Sequence, residues 1–505
     1  MPITPDDIQK YTEVMEFVLA NPAMLTQLSK QERKSFLMAA GRVSRPSRLE
    51  MIKIYKTYRI VRNKQKQDAD RQVRAQTEIR RSRQTTHYVP PKQISNPTSS
   101  GEENWLKTPR NCYVCKVEFQ KLHFFYDSMC AKCAELNYAK RFQAASLKGR
   151  IAVITGARLK IGYQAALMML RSEARVVVTT RFPQDAAIRF GEEKDFENWK
   201  DRLEIHGLDL RHSPSVELFT RFLSQHLPHL DILINNAAQT VRRPPGFYAH
   251  LMEAENKNIS ELPPKAQHLL AAHSAIRRRL LTAPNADTSG SAWVSDWYKN
   301  SIGISMSANL SQIPYDFDKD AHDNLNVFPE GKLDLDQQQV DLRKMNSWRL
   351  KLADVPTPEM MEVQLVNSIA PFILCSKLKP LMLRSPHQEK FVVNVSAMEG
   401  KFLRFTKTDR HPHTNMAKAA LNMLTLTSAS DYAQDNIYMN AVDTGWVTDE
   451  VPHHLSIQKQ EQHDFQPPLD IVDGAARVCD PIFAGLLSGE HCYGKFLKDY
   501  GPTDW

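Results

Sequence analysis

Four cysteines stand in two close pairs, Cys112-Tyr-Val-Cys115 and Cys130-Ala-Lys-Cys133, with fourteen residues between the pairs. Two residues between thiolates let one tight knuckle present both sulfurs to a tetrahedral ion, and two such knuckles complete its coordination. The spacing predicts a four-thiolate Zn2+ site formed by Cys112, Cys115, Cys130 and Cys133. A closed set of four sulfurs leaves no position for substrate water, so the expected ion is structural. A redox dithiol, which needs only one pair, is the weaker alternative, and such a module does not by itself establish contact with nucleic acid.

A second pattern lies further along. Ile151-Ala-Val-Ile-Thr155 reads as a buried parallel strand, followed by Gly156-Ala-Arg-Leu-Lys-Ile-Gly162 and a helix from Gln164 to Leu170. Glycines at such a turn let backbone amides and a helix N-terminus approach a pyrophosphate, and Arg158 and Lys160 add positive charge within the turn. Further strands are predicted at Val176-Val-Val-Thr-Thr180, from near Leu203 to Asp209-Leu210, and at Asp231-Ile-Leu-Ile-Asn-Asn-Ala-Ala238. Strands alternating with helices require an α/β fold with a doubly wound parallel sheet.

Over roughly residues 147 to 505, apart from one long insertion, these positions resemble the short-chain dehydrogenase/reductase family. Thr155-Gly156 through Ile161-Gly162 correspond to the family's glycine-rich turn and Asp209 to its adenine-contacting acid. Asn235-Asn-Ala237-Ala238 corresponds to the strand end beside the cofactor. Asn367 in Val-Asn-Ser-Ile-Ala-Pro-Phe372 resembles the active-site asparagine, and Asn440-Ala-Val-Asp-Thr-Gly445 with Thr448 the loop that contacts nicotinamide. The resemblance implies a Rossmann-type fold that binds a pyridine dinucleotide. Arg181 follows the second strand directly, where a carboxylate would favour an unphosphorylated ribose, and so points to NADP(H) over NAD(H). Two positions depart from the pattern: Lys160 stands at the middle glycine, and Ala238 replaces the glycine of Asn-Asn-Ala-Gly.

The family's chemistry uses a serine that holds the carbonyl oxygen, a tyrosine that delivers the proton, and a lysine four residues later. In Asn394-Val-Ser-Ala-Met-Glu-Gly400, the register that aligns Gly400 puts Ala397 at the serine position, with Ser396 one place earlier. In His413-Thr-Asn-Met-Ala-Lys418, Lys418 matches the lysine and Thr414 occupies the tyrosine position. An aliphatic hydroxyl is a far poorer acid than a phenol of pKa about 10. The resemblance therefore implies an NADP(H)-dependent oxidoreductase with non-standard acid chemistry, acting on an unidentified carbonyl or alcohol. In it His411 or His413 could donate the proton, Ser396 could hold the carbonyl oxygen, and Asn367 and Lys418 could contact water and the ribose. The alternative is a catalytically impaired dinucleotide-binding scaffold or sensor that contacts a protein or nucleic acid.

The elements that must position these groups follow from pattern and composition. The 505 residues are 42% hydrophobic and 24% charged, enough for several folding units. Residues 1–46 read as a helical module in which Ile8, Tyr11, Val14, Met15, Val18 and Leu19 recur at helical spacing and Gly41 ends a second helix. Residues 47–103 read as a basic helix and a linker, 104–146 as the cysteine module, and 147–505 as the large domain. From Ala238 to Asn367 is 129 positions, far beyond one crossover helix, so an inserted lobe is expected at about 240–357. It contains a helical pattern from Ala266 to Leu281, the segment Trp293-Val-Ser-Asp-Trp297 and an acidic stretch from Asp316 to Asp336.

The formal charge of +9 is local: residues 42–83 hold 14 Lys/Arg against 4 Asp/Glu, and the rest is within one charge of neutrality. That segment is either a solvated helix or a contact for nucleic acid or an acidic protein. No apolar run approaches the 18 or so residues of a membrane span, and seven cysteines in this pattern fit a reducing compartment. The expectation is a cytoplasmic protein, with a nuclear location and self-association left open.

Overall fold

The computed structural model describes residues 3–85, 88–91, 93, 104–281, 301–318, 326–403 and 407–505. Much of the expected linker, the segment 293–297 and part of the acidic stretch lie outside the described residues. The chain divides into two units, residues 1–72 and 73–505. No described helix is long and apolar enough to cross a membrane.

In the first unit, α1 (Pro5–Ala20) and α2 (Lys30–Ser44) each start on a capping box, Thr4 with Asp7 and Ser29 with Glu32. Each cap hydroxyl accepts the N–H three residues on, while that residue's carboxylate accepts the cap N–H, pairing amides that a helix start leaves orphaned. Helix α2 runs past Gly41, the expected stop, to Ser44, because one interior glycine costs only about 1 kcal/mol relative to alanine. Among the described residues neither helix has a buried residue, and Ile8, Tyr11, Val14 and Phe17 of the apolar stripe are exposed. Helix α3 spans Arg48–Ala75, continuing through the basic run that begins at Arg62.

The second unit opens with an antiparallel pair, β1 (Trp105–Asn111) and β2 (Glu118–Lys121), followed by α4 (Ala131–Arg141). The main sheet comprises β3 (Ile151–Thr155), β4 (Arg175–Thr180), β5 (Leu203–Gly207), β6 (Ile232–Asn235), β7 (Lys390–Ser396), β8 (Ile437–Asp443), β9 (Phe496–Lys498) and β10 (Gly501–Thr503). Its order is β10-β9-β8-β7-β6-β3-β4-β5, parallel except where β10 pairs with β9. Both faces are covered. Ala152 and Ile154 of β3 join a core with α5 (Lys160–Arg171), α6 (Pro183–Gly191) and α10 (Ile471–Ser488). Ile151 and Val153 join the opposite core with α7 (Ser213–His226), α8 (Ala370–Met382) and α9 (Pro412–Gln434). Alternate side chains of a strand point to opposite faces, so a strand covered on both sides must be apolar throughout, and β3 is buried along its whole length.

The chain winds outward from β3 through β4 to β5, then returns to β6 on the other side of β3. The carboxyl ends of β3 and β6 therefore flank the switch point where ligands bind in such sheets. Between β6 and β7 lies the inserted lobe. Its expected helix from Ala266 to Leu281 is two pieces, Pro264–Leu269 and Ala271–Leu281. Phe247, Tyr248, Leu251, Ala308 and Phe328 from the lobe pack on Phe182 just after β4, which seats the lobe on the sheet's carboxyl edge.

Candidate functional site

At the end of β3 the backbone turns at Gly156, whose φ is +69°. A Cβ there would lie 2.8 Å from the Ala237 Cα, so side-chain bulk is excluded by both conformation and space. The two strand ends are laced together: Asn236 Nδ2 donates to the Thr155 and Gly156 carbonyls at 3.0 Å each, and the Ala237 N–H donates to Thr155 Oγ1 at 3.1 Å. Helix α5 begins at Lys160, which holds φ +56° at the position of the expected middle glycine. Among the described residues no side chain caps the helix start, where backbone amides point outward and favour an anion.

A cavity of about 370 Å³ opens over this turn, bounded by the ends of β3, β4 and β6 and by the inserted lobe. Five cations line it: Arg158, Lys160, Arg181, Arg211 and Arg243. Four have carboxylate partners. Arg158 Nη1 meets Asp185 at 2.8 Å, Lys160 Nζ meets Asp336 at 3.6 Å, Arg211 joins Asp209 at 2.6 Å and Glu362 at 2.9 Å, and Arg243 pairs with Asp341. Burial works against the Lys160 charge, but Asp336, Glu450 and Asp334 outweigh it and raise its pKa. Burial likewise opposes the Asp209 charge, and Arg211 overcomes it to hold the carboxyl low. Arg181 differs. Its guanidinium donates to Ser311 Oγ at 3.1 Å and to the Tyr248 hydroxyl at 2.8 Å, and no carboxylate pairs with it among the described residues.

The expected cofactor positions Thr155, Gly156, Arg158, Lys160, Ile161, Gly162, Arg181, Asp209, Asn235, Ala237 and Thr448 thus gather around one switch point. Asn235 turns inward, donating to Asn394 Oδ1 at 2.8 Å, while Thr448 lines the cavity and donates to Glu450 at 2.8 Å. Arg242, at the lobe's entry, stacks on Tyr315 at 4.3 Å and lies 3.4 Å from Glu362.

The expected catalytic residues sit elsewhere. Asn367 lies in a π-turn, Leu365–Ile369, between the helix Thr357–Gln364 and α8. Its amide clasps the Gln239 backbone, accepting the N–H at 2.7 Å and donating to the carbonyl at 3.0 Å. Thr414 and Lys418, four residues apart, share the buried face of α9. Lys418 Nζ donates to the Val395 carbonyl at 2.8 Å, and burial, opposed only in part by Glu399, pushes its pKa down to about 8. Ser396 donates to Asn422 Oδ1 at 2.5 Å, between β7 and α9. Among the described residues, the Thr414 hydroxyl and both ring nitrogens of His413 are buried without a hydrogen-bond partner, with His413 Nε2 3.5 Å from Glu359. His411 caps α9 in the left-handed region at φ +40°, its ring stacked 3.9 Å from Trp348. None of Ser396, His411, His413, Thr414 and Lys418 belongs to the cavity lining.

The ligand atoms of Cys112, Cys115, Cys130 and Cys133 all lie within 4.8 Å of one another, and the Cys115 and Cys130 sulfurs are 3.7 Å apart. A tetrahedral ion with Zn–S bonds of about 2.3 Å has sulfur edges of about 3.8 Å, so these residues fit such an ion. The module is fastened to α10 by buried polar contacts: Arg141 Nη1 meets Asp470 at 2.7 Å and Asp473 at 2.8 Å, and the Tyr126 hydroxyl donates to Asp473 at 2.5 Å.

Sequence reasoning missed Tyr248, Ser311, Glu362 and Glu450, all of which shape the cavity. The first three belong to the inserted lobe or its exit helix, where no periodicity or spacing announces a site. Arg211 was closer to hand, two residues after Asp209.

Residues 150–261 match the short chain dehydrogenase family. An uncharacterized protein, R665, of Acanthamoeba polyphaga mimivirus is 29% identical over 404 residues, covering 77% of this chain and 74% of that protein. Dehydrogenase/reductase SDR family member 13 of Bos taurus is 43% identical over 98 residues, 18% of this chain and 24% of that protein. Among solved structures, an NADPH-bound carbonyl reductase from chicken fatty liver is 16% identical with a TM-score of 0.41, covering 71% of this chain and all of that one. A short chain dehydrogenase from Burkholderia cenocepacia in complex with NADP is 15% identical with a TM-score of 0.42, covering 71% and 99%. The stretch that matches the short chain dehydrogenase family, residues 150–261, holds the glycine-rich turn, Arg181, Asp209 and Asn235 but not Asn367, Ser396, Thr414 or Lys418.

Proposed function

We propose that this protein is an NADP(H)-dependent oxidoreductase acting on a carbonyl or alcohol, with a proton donor other than a tyrosine. One observation carries the cofactor choice: Arg181, at the carboxyl end of β4, is the cavity cation whose hydrogen bonds go only to hydroxyls among the described residues. A guanidinium with no carboxylate in hydrogen-bond reach, and with Asp209 acting on it only at longer range, suits a 2′-phosphate, which it can bind through two parallel hydrogen bonds. The excluded Cβ at Gly156 and the uncapped start of α5 suit the pyrophosphate.

Bound there, NADP(H) gives or takes the hydride. The protein's part is to hold the dinucleotide and handle the proton. Thr155, Gly156 and Ala237 supply a close backbone approach, Lys160 and Arg158 supply positive charge, and Thr448 faces the cavity from the loop after β8. His413, beside Thr414, has both ring nitrogens unbonded among the described residues but lies outside the cavity lining, so a role as donor requires a relay that carries the proton to the cavity. Zn2+ at the four cysteines is structural in this reading.

The test is fluorescence titration of the zinc-loaded full chain with NADPH and NADH, for the native protein and Arg181→Ala. Loss of two charge-assisted hydrogen bonds should weaken NADPH about 10- to 100-fold and leave NADH nearly unchanged. Failure of the native chain to bind either nucleotide would refute the proposal, and equal loss for both would refute the role of Arg181.

A further inference from the structure

Tyr113 sits inside the first cysteine knuckle, between Cys112 and Cys115, yet its hydroxyl reaches the loop that follows β8. It accepts the Trp446 backbone N–H at 2.9 Å. A Cβ placed on the preceding residue, Gly445, would lie 3.2 Å from that same oxygen and 2.5 Å from Leu469 Cδ1, and Gly445 holds φ +75°. The loop is therefore wedged between the knuckle and the chain before α10. Two residues beyond Trp446, Thr448 lines the cavity.

A second route joins the same parts. Cys112, Phe125, Tyr126 and Met129 of the module share one apolar cluster with Val447, Leu469 and Val472, and Ile161 of the glycine-rich turn packs against it. Ile161 also lines the cavity. Two walls of the cavity, the turn after β3 and the loop after β8, thus rest on the module that carries the four cysteines.

We infer that Tyr113 is a positioning residue through which metal binding at the cysteines sets the loop 444–450 against the dinucleotide cavity. Its link to the dinucleotide rests on the function proposed above. The ion orders the knuckle, the knuckle fixes the Tyr113 ring, and the ring holds the Trp446 amide. If metal binding favours the dinucleotide in this way, linkage requires the dinucleotide to strengthen metal binding by the same factor.

The test uses the full chain loaded with Zn2+, the same chain stripped by a chelator, and Tyr113→Phe. Hydrogen exchange of the peptide covering 444–450 is measured without nucleotide, and NADPH affinity is measured alongside. Loss of one hydrogen bond should speed exchange at the Trp446 amide about fivefold in Tyr113→Phe, with an equal or larger effect on stripping the metal. NADPH should weaken at least fivefold in both. Replacing Zn2+ with Co2+ checks the knuckle: Tyr113→Phe should keep the native tetrahedral visible spectrum, and absence of that spectrum in the native chain would overturn the inference. So would loop exchange indifferent to both perturbations. If exchange responds while no nucleotide binds even the native chain, the loop coupling stands and the dinucleotide function falls.

Discussion

Lys418, buried between α9 and β7, offers the most quantitative test of the domain's electrostatics. Its pKa falls from 10.5 to about 8 because the ammonium is buried, with Glu399 the carboxylate that partly opposes the shift. The depressed value means that folding disfavours the charged form. The unfolded chain therefore binds more protons between pH 8 and 10.5, and stability rises with pH through that window. Below pH 8 the full penalty applies, and at about 1.4 kcal/mol per pKa unit it is about 3 kcal/mol. Lys418→Met removes that penalty but leaves the Val395 carbonyl without its donor, a loss of about 1 kcal/mol. The variant should then be about 2 kcal/mol more stable than the native protein at pH 7. At pH 9.5 the native lysine is neutral and the remaining linkage is about 1 kcal/mol, so the two should be nearly equal. Guanidinium unfolding of both proteins at both pH values measures the difference directly. A gap that does not change with pH, or a variant less stable at pH 7, would refute a charged, buried Lys418.

Two further outcomes follow from the geometry. Gly156→Ala places a Cβ 2.8 Å from the Ala237 Cα at φ +69°; a strained residue costs about 1–3 kcal/mol, so the melting temperature should drop and NADPH affinity should fall more than tenfold. Calorimetry and titration that both match the native protein would contradict the close approach of these strand ends. If His413 supplies the proton, His413→Asn should slow carbonyl reduction about 10²- to 10⁴-fold with NADPH affinity retained, whereas an unaltered rate and pH profile would move the role to another group.

Much of the large domain was legible because its signals are local. Strand β3 reads directly as Ile-Ala-Val-Ile-Thr, since burial on both faces leaves no polar position, and the glycine turn follows from the conformation Gly156 must adopt. The cysteine cluster is equally local, a matter of spacing within each knuckle. Other features depend on partners far away in the chain. Nothing near Arg181 announces Tyr248 or Ser311, which arrive from the inserted lobe 67 and 130 residues later. Tyr113 looks like a core aromatic of its module, and only the fold brings it to Trp446, 333 residues on. Ser396 and Lys418 could be aligned by motif, but the direction of each side chain is set by the packing of α9 on β7. The stripe on α1 reads as a buried face by periodicity, yet Ile8 and Tyr11 are exposed, because periodicity identifies a face and not what covers it.

The separation of β6 from β7 has a consequence for biosynthesis. These strands are paired neighbours at the centre of the sheet, with Ile234 opposite Val393, yet the whole lobe is translated between them. At about 5–20 residues per second, the 154 residues between Asn235 and Lys390 occupy the ribosome for roughly eight to thirty seconds. Throughout that interval β6 is an unpaired edge with an apolar sequence, the kind of surface that recruits other strands. The nascent chain therefore passes through a stage at which holdase chaperones should engage it, and it should yield more folded protein when synthesis of the lobe is quick.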